Sequence, residues 1–553
     1  MSRLLFRNAH LLSSHDGFIT GKTDSLAVNG ARIEAIGSWE EISPLAASDT
    51  QIIDLQGRTL MPGLHDTHIH LWKVGNLQTF MLDLRKTDSL EEMLTLLEQY
   101  SRQFPEVPWI TARGFNEARW KDGKMPTRDD LDKVIKDRPV YVIRTCAHIA
   151  VSNSKALELA GVTRDTRPPE GGVIYKDDTG RPNGLFAETA LGLVSAHIPP
   201  YSKDQLKTMV ISARNALYRY GITAATDPAV DPLLLETYYD METAGELRFR
   251  LQAIPILLPD GGKNPFPLPQ HFKSEYLTVN TVKFFSDGGL SGRTAALKRP
   301  YKSQSGINHG GKAPNSSSTP NSSSTPGNTQ SYGVLRLHPD QYLSLARSAQ
   351  ERGLGIATHA IGDAAIEMVI DVYKQLYRSF PDVLRRIEHL GLPEKQHLED
   401  MAAYNIATSM QTIFLNELGK NYIQAVDEAY LQRCFPVKSV LQHGILTALS
   451  SDAPVVSNFN PFAGMEAAIS RLDSEGHLIA SDESISMEEA LKAYTYSAAR
   501  ISDLPELGSL EQGKLADLII LDRDPLSTPP DELKDILVEA TYIGGDCVYS
   551  STS

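Results

Sequence analysis

Two histidines, His68 and His70, open the part of the sequence that can do chemistry, in a segment that reads Pro-Gly-Leu-His-Asp-Thr-His-Ile-His and ends at His70. In a β-strand alternate side chains point to the same face, so both imidazoles can reach one cation, while His65 points the other way. A His-x-His pair alone is weak evidence, because two ordinary strand histidines show the same spacing. The metal-site interpretation therefore depends on partners elsewhere in the chain.

Further candidate ligands follow, each within or just after a short apolar run. They are Lys283, His359, His389 and Asp452. The runs are typical of short strands, and strand and helix patterns alternate from Gly221 onwards. A (β/α)8 barrel builds its active site from residues at the carboxyl ends of successive strands. The order therefore predicts that these side chains meet His68 and His70 at one face of such a barrel.

These segments, in this order, resemble the amidohydrolase superfamily of metal-dependent hydrolases, and more narrowly the branch that includes N-substituted formamide deformylases. Further stretches that resemble the branch or the superfamily begin at Gly114, His148, Asp287 and Leu507. The resemblance covers nearly the whole chain. It departs in two places, since His65 stands where an aliphatic residue is usual and a polar insert follows Tyr301.

We expect an α/β fold, namely a (β/α)8 TIM-like barrel with a small β-sandwich domain built from both chain ends and an excursion domain after the first barrel strand. The barrel takes residues 61–504. Residues 1–60 and 505–553 both show short β-type runs with glycine turns, so the two ends are expected to pair into one composite sandwich. The superfamily resemblance implies the same arrangement.

Two regions interrupt the barrel pattern. About 150 residues separate His70 from the next barrel-like strand, far more than one crossover needs, so 72–205 is interpreted as an excursion and substrate region. It contains amphipathic helix patterns at 89–104 and 127–136. The second region, 303–331, contains Asn-Ser-Ser-Ser-Thr-Pro twice in tandem, and its low complexity predicts disorder. Whether this insert reaches the mouth of the active site stays open.

Composition excludes several classes of protein but does not identify the function. A net charge of -14 over 553 residues argues against a nucleic-acid binder, because phosphate neutralisation needs clustered Lys and Arg. The sequence shows neither a secretory signal nor an apolar run of about 18 to 20 residues, so we expect a cytoplasmic protein without membrane contact. Cys146, Cys434 and Cys547 lack CxxC spacing and predict neither a disulfide framework nor a thiolate zinc site. A P-loop and a serine-hydrolase elbow are both missing near the candidate site.

The ligand types favour zinc, because imidazoles and carboxylates suit this ion. A catalytic zinc ion keeps one position open for water and lowers the pKa of that water towards about 7. The resemblance implies two ions, one held by His68, His70 and Asp452 and the other by His359 and His389. A single ion per chain is the alternative.

Lys283 has a special place in this scheme. The resemblance implies that its amine reacts with CO2 and that the resulting carbamate bridges two metal ions as an extra carboxylate. An unmodified ammonium would repel the ions, so a two-metal site requires the carboxylated lysine. The alternative is an ordinary barrel lysine that pairs with Asp287 or with a substrate anion.

Other residues are assigned to catalysis and substrate binding. Asp452 is the candidate general base, which takes a proton from the attacking water and passes it to the leaving nitrogen. His148 is a second catalytic candidate, acting as an electrophile towards the carbonyl oxygen, although a satisfied core histidine fits its apolar run equally well. Trp120, Asn153 and Arg293 match branch motifs outside the ligand strands, so we expect them to contact substrate.

The sequence as a whole predicts a metal-dependent hydrolase that cleaves a non-peptide carbon–nitrogen bond, namely an amide, N-acyl or N-formyl bond of a small organic molecule. Asp363 and Glu388 either orient ligand imidazoles or have simple surface roles. The alternatives are cyclic amide or ester hydrolysis, deamination or decarboxylation on the same scaffold, or a non-catalytic scaffold protein. Monomer and homodimer both stay open.

Overall fold

The computed structural model describes residues 3–13, 23–117, 120–121, 123–145, 149–169, 172–259, 264–302 and 331–552. The chain divides into two compact units, of which the first comprises Met1–Leu71, Ala213–Lys302 and Ser331–Ser553 and the second Trp72–Ser212. His148 and nearly all of the insert 303–331 lie outside the described residues, so the expectations stated for them stay predictions.

The first unit contains the short strands that carry or precede the candidate metal ligands. They are β7 (Leu64–Asp66), β14 (Ile222–Val230), β15 (Arg250–Pro255), β16 (Phe272–Lys273), β17 (Leu277–Val279), β18 (Thr281–Phe285), β19 (Gly355–Ala360), β20 (Arg385–His389), β21 (Ile406–Met410) and β22 (Thr447–Leu449). One sheet has the order β16-β17-β15-β14-β7, and a second runs β18-β19-β20-β21-β22. Every pairing in these sheets is parallel except that of β16 with β17.

Helices alternate with these parallel strands. They are α7 (Lys203–Tyr218), α8 (Pro232–Thr243), α9 (Pro339–Gln350), α10 (Asp363–Tyr377), α11 (Lys395–Ala403), α12 (Ile413–Ala425), α13 (Glu428–Leu431), α14 (Val437–Gln442), α15 (Pro461–Ser470), α16 (Met487–Tyr494) and α17 (Tyr496–Ile501). Helix α10 shows why the alternation works, because its buried residues Ile366, Val369, Ile370 and Tyr373 recur at helical spacing and form one apolar stripe. The fold is therefore α/β and TIM-barrel-like.

The described strands form two sheets rather than one closed ring, which differs from the expectation of a complete (β/α)8 barrel. Strand β15 pairs with β17 through Leu251 and Gln252, and it reaches β18 only through a single parallel bridge between Ile256 and Lys283. Beside this bridge the Leu257 N–H donates to the carbonyl of Lys283 (3.1 Å), but no continuous ladder joins these two described strands. On the other side, the N–H of Asp452 donates to the carbonyl of His68 (2.7 Å) and joins the segments that follow β22 and β7.

The first unit has two further sheets, one from the N-terminal end of the chain alone and one from both ends. One has the order β4-β3-β1-β5, with β1 (Leu4–Arg7), β3 (Ser25–Asn29), β4 (Arg32–Gly37) and β5 (Gln51–Asp54). The other has the order β2-β6-β23-β24-β25, with β2 (His10–Leu11), β6 (Thr59–Pro62), β23 (Leu518–Leu521), β24 (Val538–Ile543) and β25 (Asp546–Ser550). Phe6 and Tyr542 pack edge to face with ring centroids 5.4 Å apart, so residues from both ends share one hydrophobic core. A short helix, α1 (Trp39–Ile42), follows β4.

The second unit is built on a sheet with the order β12-β13-β11-β10-β9-β8. Its strands are β8 (Leu82–Asp83), β9 (Ile110–Phe115), β10 (Val140–Arg144), β11 (Ile149–Ser152), β12 (Gly172–Lys176) and β13 (Pro182–Glu188), and its helices include α3 (Leu90–Gln103), α4 (Arg128–Val134), α5 (Ser154–Leu159) and α6 (Gly192–Ser195). Helix α2 (Leu71–Thr79) begins at Leu71, the last residue of the first segment of the first unit, and continues into the second unit. The predicted helices at 89–104 and 127–136 are confirmed as α3 and α4, and the side chains of Ser89 and Thr127 cap their first turns. None of the described helices is long and apolar enough to cross a membrane.

Candidate metal centre

The histidine pair lies just beyond the first barrel-like strand. Strand β7 ends at Asp66, so the expectation that His68 and His70 belong to the strand itself is wrong by a few residues. The physical reason is that the Asp66 carboxylate, in place of a neighbouring strand, accepts the backbone N–H of His68 (3.1 Å). The same carboxylate also accepts the N–H of Ser451 (3.2 Å) from a distant part of the chain. The N–H of His70 then donates to the carbonyl of Ala453 (2.9 Å). The pair is thereby fixed against the segment that follows β22.

His68, His70 and Asp452 form one cluster whose candidate ligand atoms all lie within 4.8 Å of one another. The Nε2 atoms of His68 and His70 lie 3.5 and 3.3 Å from Oδ1 of Asp452, and the two rings are inclined at 87°. All three residues are buried. His68 and the hydrogen-bonded His70 hold the pKa of the Asp452 carboxyl well below its usual range, although burial alone would raise it. The predicted first ligand set is therefore assembled in one place.

The other ring nitrogen of His68, Nδ1, contacts Oε2 of Glu388. Glu388 is buried, and burial raises its pKa, but Arg386, Lys283 and His68 together hold the pKa well below its usual range. An ionised carboxylate only accepts hydrogen bonds, so Nδ1 of His68 donates its proton to Glu388. Burial lowers the pKa of His68, which keeps the ring neutral and leaves a lone pair on Nε2.

This arrangement fits a bound cation. The Nε2 lone pair of His68 and the carboxylate oxygen of Asp452 face each other at 3.5 Å with no hydrogen available to either atom from the other. Two facing acceptors repel, and a cation between them removes the repulsion. A neutral imidazole held by a carboxylate on its far nitrogen is the usual environment of a metal-binding histidine. The residues therefore suit a divalent metal ion.

The two later histidines lie beside this cluster. The ring centroid of His389 is 4.8 Å from that of His68 and 4.5 Å from that of His359. Nδ1 of His389 lies 2.6 Å from Oε1 of Gln411, whose Nε2 donates to the Ser450 hydroxyl (2.9 Å). Nε2 of Gln411 also donates to the carbonyl of Ser409 (3.3 Å), which can only accept, so the amide oxygen faces the ring. His389 therefore donates from Nδ1 and keeps its Nε2 lone pair.

The surroundings of His359 differ from those of His389. Its Nε2 lies 3.2 Å from the carbonyl of Gly288 and 3.4 Å from Oδ1 of Asp287. Asp287 also accepts the backbone N–H groups of Ile361 and Gly362, which follow β19. The structure thus brings His359 next to His389, while the compact group of ligand atoms found among the described residues consists of His68, His70 and Asp452.

Lys283 is fully buried in β18 and points its ammonium group into this polar region. Among the described residues its Nζ has no hydrogen-bond partner, and it lies 5.1 Å from the ring centroid of Phe285. Burial lowers the pKa of Lys283 to about 8, against the opposing effect of Glu388 and Asp452. A buried amine without a hydrogen bond is energetically costly, and buried polar groups nearly always have a partner. The environment of Lys283 therefore suits an additional polar or charged group. The suggested pairing of Lys283 with Asp287 is not seen.

Two of the site residues have a strained backbone. His389 has φ +75° and Asp452 has φ +57°, values in the left-handed region that residues with a Cβ rarely adopt. Each such conformation costs about 1–3 kcal/mol and persists only where the surrounding structure imposes it. The observed outliers at both predicted ligands support a functional constraint on this part of the molecule.

Glu388 and Asp363 were candidates for orienting imidazoles, and the structure separates them. Glu388 contacts His68 as described. Asp363 instead accepts hydrogen bonds from the backbone of Lys298 (2.8 Å), the Tyr430 hydroxyl (2.9 Å) and the Arg433 guanidinium (2.9 Å). It is buried and ties the segment after β18 to the start of α10, so the expected imidazole contact is wrong for this residue.

The predicted substrate residues occupy structural positions. Trp120 is buried in the second unit, where its Nε1 donates to the carbonyl of Thr87 (3.0 Å). The Asn153 side chain accepts from two backbone N–H groups and donates to two backbone carbonyls, so the structure shows a helix-capping role. Arg293 donates to the carbonyls of Lys302 (2.5 Å) and Gln424 (2.9 Å). Substrate contact by these residues stays a prediction.

Several contributing residues were missed in the sequence. They are Arg386, Gln411, Asp287 as a partner of His359, and Asp227, whose Oδ1 lies 4.0 Å from Nδ1 of His70. A usable signal exists for two of them. Arg386 and Glu388 are charged residues two positions apart, directly before the candidate ligand His389, and Gln411 follows a short strand-like run just as the ligand residues do.

Comparison with known proteins agrees with this site. The model of a protein family described as "Amidohydrolase family" matches residues 51–549 of this chain. A relative from Arthrobacter pascens, named N-substituted formamide deformylase, is 29% identical over 541 residues and covers 96% of this chain and 95% of its own length. A relative from Arabidopsis thaliana, named protein LONG AFTER FAR-RED 3, is 30% identical over 565 residues, covering 95% and 88%. An uncharacterized metal-dependent hydrolase from Pyrococcus horikoshii OT3 has a similar structure, with a TM-score of 0.75, 26% identity and coverage of 96% and 99%.

The fold, the buried ligand cluster and these similarities define a metal-dependent hydrolase on an α/β TIM-barrel-like scaffold. The chain belongs to the amidohydrolase family and is a hydrolase that acts on carbon–nitrogen bonds.

Proposed function

We propose that the protein hydrolyses a non-peptide amide, N-acyl or N-formyl bond of a small organic molecule. The observation that carries this proposal is the convergence of His68, His70 and Asp452, with the far nitrogen of His68 held by Glu388. The relative named N-substituted formamide deformylase, similar over nearly its whole length, supports the amide class of substrate. A small-molecule amide is accordingly the proposed partner.

Zinc is the proposed metal, since neutral imidazoles and carboxylates match its preferences. His68, His70 and Asp452 would hold one ion. His359 and His389 would hold a second, with Lys283 carboxylated by CO2 as the shared ligand. When bound, the metal would supply Lewis-acid activation of a water molecule and polarisation of the scissile carbonyl. The buried amine of Lys283, which has no hydrogen-bond partner in the part of the chain that the structure describes, supports its modification.

The chain's own residues supply the proton transfers. The Asp452 carboxylate is the proposed general base, which accepts a proton from the attacking water and delivers it to the departing nitrogen. The contacts of its Oδ1 with His68 and His70 lower the pKa of this carboxyl and keep it ionised in the resting enzyme. Glu388 and Gln411 each accept a hydrogen bond from the Nδ1 of one histidine and thereby keep its Nε2 directed into the site.

The finer architecture is also a proposal. We infer that the two parallel sheets belong to one (β/α)8 barrel, since a bridge at Lys283 and the Asp452-to-His68 hydrogen bond link their edges. The barrel would occupy 61–504, the β-sandwich would combine 1–60 with 505–553, and 72–205 would supply substrate contacts. The protein would act in the cytoplasm.

The proposed function is tested by incubating the purified enzyme with a panel of N-formyl and N-acyl amines and measuring the amine and acid released. Activity is expected on at least one member of the panel. Removal of metal with a chelator should abolish it, and added Zn2+ should restore it. Release of ammonia or CO2 in place of a carboxylic acid would instead identify deamination or decarboxylation. Turnover that persists after complete metal removal would contradict the proposal.

A further inference from the structure

Strand β20 contains two consecutive arginines, Arg385 and Arg386, and both are completely buried. Successive side chains of a strand point to opposite faces, so the two guanidinium groups have separate environments. Arg385 donates to the carbonyls of Phe380 (2.7 Å) and Pro381 (3.2 Å) and to the Gln350 side chain (3.3 Å). Its contacts thus secure the end of α10 and the turn before β20.

Arg386 faces the candidate metal centre instead. Its Nε donates to Oε1 of Glu388, and its Nη2 lies 3.3 Å from Oε2 of the same carboxylate. The same Nη2 also donates to the backbone carbonyl of Thr67 (3.0 Å). Because Thr67 precedes His68 and Glu388 contacts Nδ1 of His68, one guanidinium holds both the backbone and the side-chain partner of this histidine.

Burial of the Arg386–Glu388 ion pair in a strand carries a large desolvation cost. Removing a guanidinium and a carboxylate from water costs several kcal/mol for each ion, and apolar residues of similar volume often give equal or greater stability. Stability alone is therefore a weak explanation for a buried guanidinium at position 386. A two-point contact with a planar carboxylate does, however, fix the position of that carboxylate in a way that a single-point cation cannot.

We propose that Arg386 is a positioning residue for metal binding, which acts through Glu388 and Thr67 to set the orientation and tautomer of His68. This inference rests on the proposed function, since it assigns the Nε2 atom of His68 to the metal. Without Arg386 the Glu388 carboxylate loses its fixed position. The His68 ring is then free to rotate, and its Nε2 is presented to the metal for only part of the time.

The test measures metal affinity in Arg386→Gln and Arg386→Lys, with Arg385→Gln as the matched control. Metal-free protein is prepared by dialysis against a chelator, and Zn2+ affinity is measured by competition with a chromophoric chelator. Loss of a hydrogen-bonding partner behind a metal ligand typically weakens metal binding by about 10- to 100-fold. We expect a loss of this size for Arg386→Gln, a smaller loss for Arg386→Lys, and unchanged affinity for Arg385→Gln.

The control separates positioning from stability, because both arginines are buried in the same strand and both substitutions should lower the thermal midpoint. Absorption spectra of the Co2+ forms give a second readout, since they report the geometry of the bound ion. The Arg386→Gln spectrum should differ from that of the wild type, and the Arg385→Gln spectrum should match it. Should Arg386→Gln not fold, the comparison of Arg386→Lys with Arg385→Lys decides the matter.

A double-substitution cycle tests the route through Glu388. If Arg386 acts largely through this carboxylate, Arg386→Gln should lower Zn2+ affinity much less in a Glu388→Gln background than in the wild type. Full additivity would overturn the route. Wild-type affinity in folded Arg386→Gln would overturn the inference while leaving the proposed function intact, whereas a wild-type protein that binds no Zn2+ would overturn both.

Discussion

Nε2 of His70 lies 3.3 Å from Oδ1 of Asp452, which joins the segment after the first barrel-like strand to the segment after the last. His68 approaches the same oxygen at 3.5 Å. The Nε2 atoms of both histidines therefore lie close to the same carboxylate oxygen of Asp452. This arrangement supports the roles proposed for Asp452, as a metal ligand and as the proton-transferring group.

The first prediction concerns Asp452→Asn. An amide of the same shape cannot accept a proton from water, and loss of a general base costs about 10²- to 10⁴-fold in rate. We expect kcat to fall within this range while part of the metal is retained, measured by steady-state kinetics and elemental analysis of the same preparation.

Asp473→Asn is the matched control for that change. Asp473 is also buried, but its carboxylate accepts the backbone N–H groups of Glu475 (2.9 Å) and His477 (2.8 Å) in a turn. Its replacement should affect stability with little change in kcat. An Asp452→Asn enzyme with wild-type kcat would contradict the assigned role.

The second prediction concerns Gln411→Leu. The Gln411 amide oxygen accepts from Nδ1 of His389 at 2.6 Å, and leucine removes this acceptor at nearly constant volume. The ring of His389 should lose its fixed orientation, and metal content under limiting Zn2+ should fall, with affinity lower by about 10- to 100-fold. Gln411→Glu retains an acceptor and should keep more affinity than Gln411→Leu, and the reverse order would argue against the hydrogen-bond explanation.

The third prediction concerns a buried ion pair of the first unit. Arg250 forms a two-point contact with Asp517, with Nε–Oδ2 and Nη2–Oδ1 both at 3.1 Å and both side chains buried. Arg250→Met should leave the Asp517 carboxylate buried without its cation and cost about 3–5 kcal/mol. Urea unfolding followed by circular dichroism measures this loss.

The exposed pair of Arg32 and Glu506 provides the comparison, since both side chains are about half exposed. Glu506→Gln should lower the free energy of unfolding by less than about 1 kcal/mol, because water screens this pair. Equal losses in the two variants would show that burial does not control the strength of these interactions.

The fourth prediction concerns Gly362→Ala. A Cβ at this position would lie 1.9 Å from the carbonyl oxygen of Ala296, and the Gly362 N–H donates to Asp287, the neighbour of His359. The backbone must shift, at a cost of about 1–3 kcal/mol, and activity should fall with it. Gly289→Ala meets nothing within 4 Å and should behave as the wild type in the same thermal and kinetic assays.

Local patterns in the sequence were sufficient to predict several elements. The run ending in His359 is a strand because small and apolar side chains cover both faces of a parallel sheet, and the structure has it as β19. The run ending in His389 is also a strand, β20, although Ile387 is its only apolar residue. Helices α3 and α4 were predicted from their amphipathic patterns, and Ser89 and Thr127 cap their first turns. Short-range physics determines these features, so one sequence is enough to find them.

Contacts between distant segments could not be predicted in the same way. Asp66 binds the backbone of Ser451, Glu388 binds His68, and Asp287 binds the segment that follows His359. These pairings depend on which loops meet at the strand ends, and spacing along the chain does not contain that information. The same limit explains why Asp363 was considered for a role that Glu388 fills.

In the proposed site, metal ions bind through His68, His70 and Asp452, and Lys283 is carboxylated when a second ion is present. The most direct measurement is metal content per chain by elemental mass spectrometry on protein purified in bicarbonate buffer, with native intact mass on the same sample. We expect near two zinc ions per chain and the added mass of one CO2, and Lys283→Ala should abolish this added mass. A protein that holds no metal, and takes up none on reconstitution with Zn2+, would contradict it.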